Sequence, residues 1–263
     1  MLQQNKLHLG ARQPRPQIPS RSWHKDVAVQ LDHASAAYND KVAFTGLSGS
    51  FAAGSLTAVV GPNGAGKSSL LKAIAGTLPL QSGTIECRSR LHHDLAYLPQ
   101  QAEFDRNFPI EVRELIALGA WRSFGSYRRP PDEVFESVAR ATATTGLENV
   151  LKRSVEELSA GEFQRALFAR LVLQDAAVIL LDEPFASVDE VTTEHLMGLV
   201  RGWHTEGRTV IAVLHDLDKV RRDFPTTLLL ARTCIAWGDT ASVLTANNLT
   251  RARKTQQDNT GVL

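Results

Sequence analysis

The sequence predicts an α/β fold built on a mostly parallel sheet, with a smaller antiparallel β subdomain and an inserted α-helical subdomain. Three observations carry this. Aliphatic runs at 55–60, 177–182 and 209–214 lack polar alternation, as strands covered on both faces do. Stretches of helical period separate them, at 67–78, up to about 174, and around Leu196, Leu199, Val200 and Trp203. Between residues 101 and about 175 the strand signal gives way to helical spacing, with Val134, Val138 and Ala141 on one stripe and Ile110, Leu115 and Leu118 on a shorter one, broken by Pro109, Pro130 and Pro131.

In chain order, residues 1–25 read as a basic disordered tail, with Lys6, Arg12, Arg15, Arg21 and Lys25 among prolines and no apolar period. The folded unit then runs over 26–245. Segments 27–38 and 42–51 alternate loosely, as antiparallel strands do. The run 55–60 leads through a glycine-rich turn into a helix carrying Leu70, Leu71, Ile74 and Ala75. Short strands are expected at 83–87 and 94–98, and final strands near 227–230 and 235–237. The polar stretch 246–263 reads as a poorly ordered C-terminal tail.

Composition narrows the class. The chain has 263 residues, 43% hydrophobic and 22% charged, enough for one full-sized core. A net charge of +1 gives no global field for recruiting nucleic acid, and none is expected as a partner. Cys87 and Cys234 fit neither a disulfide framework nor a zinc knuckle, which suits a reducing compartment. No apolar run reaches the roughly eighteen residues of a membrane span, and no secretory signal is evident. His92-His93, without carboxylate or cysteine partners at ligand spacing, reads as a solvated loop.

Two segments carry chemistry. Gly61-Pro62-Asn63-Gly64-Ala65-Gly66-Lys67-Ser68 fits the phosphate-binding P-loop, and it lies where that loop must lie, after a strand and opening a helix. Glycines let successive amides turn toward phosphate, the helix N-terminus adds its dipole, Lys67 supplies a cation and Ser68 a hydroxyl ligand for Mg²⁺. Val178-Ile179-Leu180-Leu181 delivers Asp182 at a strand's C-terminal end, where ligands bind in parallel α/β sheets; Asp182 is expected to reach Mg²⁺ through water. Glu183 follows, placed to orient an attacking water or take its proton.

Leu158-Ser159-Ala160-Gly161-Glu162, followed by Gln164 and Arg165, resembles the signature motif of ATP-binding cassette (ABC) ATPases. Tyr38, Leu98-Pro99-Gln100, Ser187-Val188-Asp189 and Leu214-His215-Asp216 fall in that family's order, and the resemblance runs from about residue 27 to 244. It implies the P-loop NTPase fold of those ATPases, with ATP and Mg²⁺ as ligands. Residues Gly61 to Ser69 would hold the phosphates, Tyr38 would stack on adenine, Gln100 would sense Mg²⁺ and water, and His215 would meet the γ-phosphate. Asp189 would lie at a subunit interface. Ser159, Ala160, Gly161 and Glu162 would face ATP on a second copy, so that two chains close head to tail around two nucleotides.

The signature departs from the family form, which has Gly at Ala160 and usually Gln at Glu162. Ser159 and Glu162 make an S-x-x-E capping box, and the charge of Glu162 would lie near the docking γ-phosphate, a place from which to tune closure. A single cassette with a compact insert resembles the separate ATPase subunits of bacterial importers rather than soluble ABC proteins acting on ribosomes or DNA; a P-loop kinase would explain neither the signature nor His215. Asn107-Phe108-Pro109-Ile110 with Val112-Arg113-Glu114-Leu115 and Leu118-Gly119 is similar to zinc and manganese importer ATPases, and residues 158–190 and 209–232 are similar to a zinc-importer ATPase, which implies zinc as the cargo, with manganese, haem and iron-siderophore importers as the alternative. That implies a position on the cytoplasmic face of a bacterial inner membrane. The partners implied are an integral membrane permease and, indirectly, an extracytoplasmic metal-binding protein.

Overall fold

A computed structural model of the chain describes residues 26–38, 41–87, 95–100, 104, 106, 108–121 and 132–258. The expected basic tail, His92-His93, Asn107 and Pro130-Pro131 lie outside the described residues.

The strands are β1 (Val27–Tyr38), β2 (Lys41–Ala52), β3 (Leu56–Val60), β4 (Ser82–Cys87), β5 (Leu95–Leu98), β6 (Val178–Asp182), β7 (Thr209–Val213), β8 (Thr226–Ala231) and β9 (Thr233–Asp239). They form two sheets. One has the order β5-β6-β7-β3-β8-β9, parallel except for the β8–β9 hairpin, and the other is the antiparallel set β2-β1-β4. Every residue of β3, β6 and β7 is buried, which is why these strands read as unbroken aliphatic runs.

Strand parity divides the interior. Val59, Leu180 and Val213 point to one side, where helix α1 (Lys67–Ile74) is clasped between the two sheets by Leu70, Leu71 and Ile74. Ala58, Val60, Ile179, Leu181 and Ala212 point to the other. There they meet α4 (Ala160–Gln174) and α5 (Glu190–Thr205), joined by Phe168 stacked on Trp203 at 5.8 Å.

The helical segment contributes α2 (Val112–Ala117) and α3 (Asp132–Thr145) as well as α4. Val134, Val138 and Ala141 of α3 are buried, as their spacing predicts. Thr142 and Thr145 are buried beside them, and each hydroxyl donates to a carbonyl one turn back, so neither hydroxyl is stranded. Leu118 does not join the stripe; it lies past the end of α2 and is 42% exposed.

The stretch after Leu244 corrects the expectation of a poorly ordered tail. Beyond α6 (Leu217–Asp223) and α7 (Thr240–Val243), residues Ala246–Asp258 form α8, packed on β8 and β9. Thr245 accepts the Asn248 amide at its side chain and the Leu249 amide at its carbonyl. Only Leu249 and Ala252 face the core, a stripe too narrow to stand out in a polar sequence. No helix among the described residues is long and apolar enough to cross a membrane.

Ala252→Glu is expected to bury an unpaired carboxylate under α8 and lower stability by about 2 kcal/mol or more, read as a shift of the denaturation midpoint.

Candidate functional site

The P-loop connects β3 to α1. Gly66, the residue before the helix, has φ +92, and a Cβ there would stand 2.2 Å from the Ala43 carbonyl oxygen. The left-handed turn aims the first amides of α1 outward, with no side chain capping them. The loop is anchored from behind: Arg232 N–H, in the β8–β9 turn, donates to Ala65 O at 2.9 Å, and Thr45 N–H donates to Arg232 O at 2.8 Å.

Lys67 is buried against this loop, and its Nζ donates to Gly61 O at 2.9 Å and Pro62 O at 3.0 Å. Burial pushes the ammonium below the usual lysine range, while the negative charges of Glu183 and Asp182 pull it back. A cation short of full hydration gains strongly from a nearby anion.

At the end of β6 the carboxylate of Asp182 is 1% exposed, and its Oδ1 accepts the Ser68 hydroxyl at 3.0 Å. Glu183 then turns the chain with φ +51, held by its N–H donating to Val213 O at 3.2 Å. Its Oε1 receives Gln100 Nε2 at 2.9 Å and lies 2.6 Å from His215 Nε2, which follows β7. Gln100 Nε2 also lies 3.2 Å from Ser68 Oγ. Ser68, Asp182, Gln100, Glu183 and His215 thus form one continuous polar network drawn from the ends of β5, β6 and β7 and the start of α1.

These groups border a cleft of about 540 Å³ lined by Asn63 to Ser69, with Gln100, Glu183 and His215 opposite. A row of amides, one cation and a helix start on one wall suit a polyphosphate. Ser68 Oγ and the Asp182 carboxylate are hard oxygen donors at one corner, beside the Gln100 side-chain amide, and oxygens of this kind are what Mg²⁺ prefers.

The remaining sequence-predicted residues stand apart from this cleft. Tyr38, at the end of β1, is 62% exposed. Ser159 caps α4: its Oγ accepts the Glu162 amide at 3.2 Å and its own N–H donates to Glu162 Oε2 at 2.9 Å, the reciprocal pair that S-x-x-E spacing predicts. Hydrogen bonds from the Ser159 backbone and hydroxyl, followed by the charges of Arg153 and Arg165, hold Glu162 below its usual range. Asp189 caps α5, accepting Thr192 N–H at 2.9 Å and the Thr192 hydroxyl at 2.8 Å, and it borders Gly161.

Sequence reasoning missed Gln256. From α8 its Nε2 donates to Asn63 O at 3.0 Å, so a helix far along the chain braces the P-loop crest. The nearest signal was the i, i+3, i+7 spacing of Leu249, Ala252 and Gln256.

Residues 44–186 match the family model described as ABC transporter. The chain belongs to the ABC transporter family of ATP-binding proteins. Its relatives include the manganese transport system ATP-binding protein MntB of Bacillus subtilis (strain 168), 35% identical over 84% of this chain and 90% of that one. The zinc transport system ATP-binding protein TroB of Treponema pallidum (strain Nichols) is 36% identical, covering 86% of each. Among solved structures, an ABC transporter in an inward-facing conformation superposes with a TM-score of 0.78 at 26% identity, covering 87% of this chain and 89% of that one. The cassette is an ATPase, and the two-sheet core with its helical segment is the ABC ATPase fold.

Gly66→Ala is expected to displace the loop from Ala43, costing about 2 kcal/mol of stability and abolishing nucleotide binding, measured by denaturation and nucleotide titration.

Proposed function

We propose that this cassette is the ATP-hydrolysing subunit of a divalent-metal importer, working as a head-to-tail pair beneath a membrane permease. One observation carries the catalytic reading: Glu183 Oε1 takes contacts from both Gln100 and His215, while Gln100 touches the Ser68 hydroxyl bonded to Asp182. A carboxylate so held is aimed across the cleft at the place where a terminal phosphate on the P-loop would lie.

In this reading residues 61–69 hold the ATP phosphates through amides and the Lys67 ammonium. Ser68, Asp182 and Gln100 would hold Mg²⁺, which would supply positive charge to offset that of the phosphates. Glu183 orients water for in-line attack and takes its proton as the bond to ADP breaks; His215 keeps the Glu183 carboxylate in place and contacts the γ-phosphate. Tyr38, exposed at the edge of β1, supplies an aromatic face for adenine. Ser159 and Gly161, on a helix start outside the cleft, complete the site on a second copy, with Asp189 at the junction.

Relatives named for manganese and for zinc support a metal cargo, and their near-equal identities favour neither ion. Zinc is the ion proposed from the likeness of residues 158–190 and 209–232 to a zinc-importer ATPase. The cytoplasmic face of an inner membrane and an extracytoplasmic binding protein follow from the importer reading. The exposed Phe108, Leu118 and Trp121 offer an apolar surface suited to a permease.

Glu183→Gln is expected to keep ATP binding while lowering kcat by about 10²-fold or more; near-normal turnover in a phosphate-release assay removes Glu183 as the base. Deleting the gene should abolish high-affinity zinc accumulation. Loss of manganese uptake alone reassigns the ion, and loss of haem or siderophore uptake with both metals intact overturns the metal reading.

A further inference from the structure

The turn entering α4 is held by two guanidinium groups that no part of the catalytic network uses. Arg106, on the segment following Gln100, donates Nη2 to the carbonyl of Leu158, the residue immediately before Ser159. The same guanidinium lies 4.9 Å from the ring centroid of Phe163, inside the first turn of the helix, where Phe104 meets that ring edge-on at 5.8 Å. Arg106 therefore grips the turn on both sides of the cap.

Arg153 approaches from the other direction. Its Nη2 donates to the Glu157 carbonyl, its Nε lies 3.4 Å from Glu157 Oε2, and its Nη1 lies 3.4 Å from Glu162 Oε1. The carbonyls of the two residues preceding Ser159 are thus both taken by arginine. Glu162, which closes the capping box, has its charge partly offset by Arg153 and Arg165. That offset matters because an uncompensated carboxylate at this helix start would repel an incoming phosphate.

We propose that Arg106 and Arg153 form a clamp that positions Ser159 and the first amides of α4 to receive the γ-phosphate of ATP bound to a second copy. This rests on the two-copy reading given above. A planar fork suits the task better than an ammonium, since it can hold a carbonyl and a ring, or a carbonyl and a carboxylate, at once. The clamp also ties the signature to its surroundings. Arg106 lies two residues from the exposed Phe108, and the Arg153 carbonyl accepts the Val112 N–H that starts α2, while Ser154 pairs with Glu111 in an isolated bridge. Movement of Arg106 or of the 108–112 segment is passed to Ser159 through the two arginines. They are positioning residues: neither borders the nucleotide cleft.

The test uses the full chain carrying Glu183→Gln, with Arg106→Ala, Arg153→Ala or Arg106→Lys added. MgATP-driven dimerisation is measured by sedimentation, nucleotide affinity by titration at concentrations where the chain is monomeric, and amide exchange at residues 159–163 and 67–74 in nucleotide-free protein. Each alanine variant is expected to weaken dimerisation by about tenfold or more, the loss of a charge-assisted hydrogen bond. Exchange at 159–163 should rise, with nucleotide affinity and exchange at 67–74 unchanged. Arg106→Lys keeps the charge over Phe163 without the fork and should fall between; it also serves if an alanine variant fails to fold. Dimerisation within about twofold of the parent overturns the clamp. A parent that does not dimerise with MgATP overturns the two-copy reading instead, and unchanged exchange at 159–163 then overturns the clamp by itself.

Discussion

The hydrogen bond between Ser68 and Asp182 joins residues 114 positions apart and sets the register of the whole site. A carboxylate as buried as that of Asp182 is strongly destabilising unless its oxygens are satisfied, so the start of α1 has to meet the end of β6. Once those two are locked, Glu183 can leave the sheet only by turning across the cleft. Its left-handed backbone costs about 1 kcal/mol and is sustained by the bond to Val213, with which it trades an ordinary strand exit for a carboxylate facing Gln100 and His215.

Much of this architecture was legible beforehand because its causes are local. Strands buried on both faces must be aliphatic throughout, so β3, β6 and β7 announced themselves. The glycine at position 66 follows from a backbone that no side chain fits. The S-x-x-E spacing by itself predicts the Ser159–Glu162 cap. What stayed hidden depends on distant pairings. Neither α8 nor the contact of Gln256 with Asn63 has a strong periodic signal, because two apolar residues and one amide suffice to seat that helix. Nothing in the sequence singles out Arg106 and Arg153, since a bond from a guanidinium to a backbone carbonyl leaves no trace in sequence pattern.

Inside a single chain, the cleft and the signature are prepared differently. The cleft is a network of polar side-chain ends bonded to one another, and those bonds can be exchanged for bonds to an arriving phosphate. The signature is a stiffened helix start, its polar groups already matched by neighbours. In the two-copy reading proposed above, an enzyme divided this way loses little entropy on the signature side at closure, and the adaptable side is the one assigned the reaction.

The brace from α8 to the P-loop has a consequence for how the protein is made. Asn63 leaves the ribosome 193 residues before Gln256, while β3, α1 and the antiparallel sheet around them can already collapse together. Through that interval the crest of the phosphate loop lacks its brace, and a nascent cassette can hold the outline of a nucleotide site without its final rigidity. Arrival of α8 then adds the contact from Gln256 to Asn63, and the phosphate loop takes its final support from the last helix to be made.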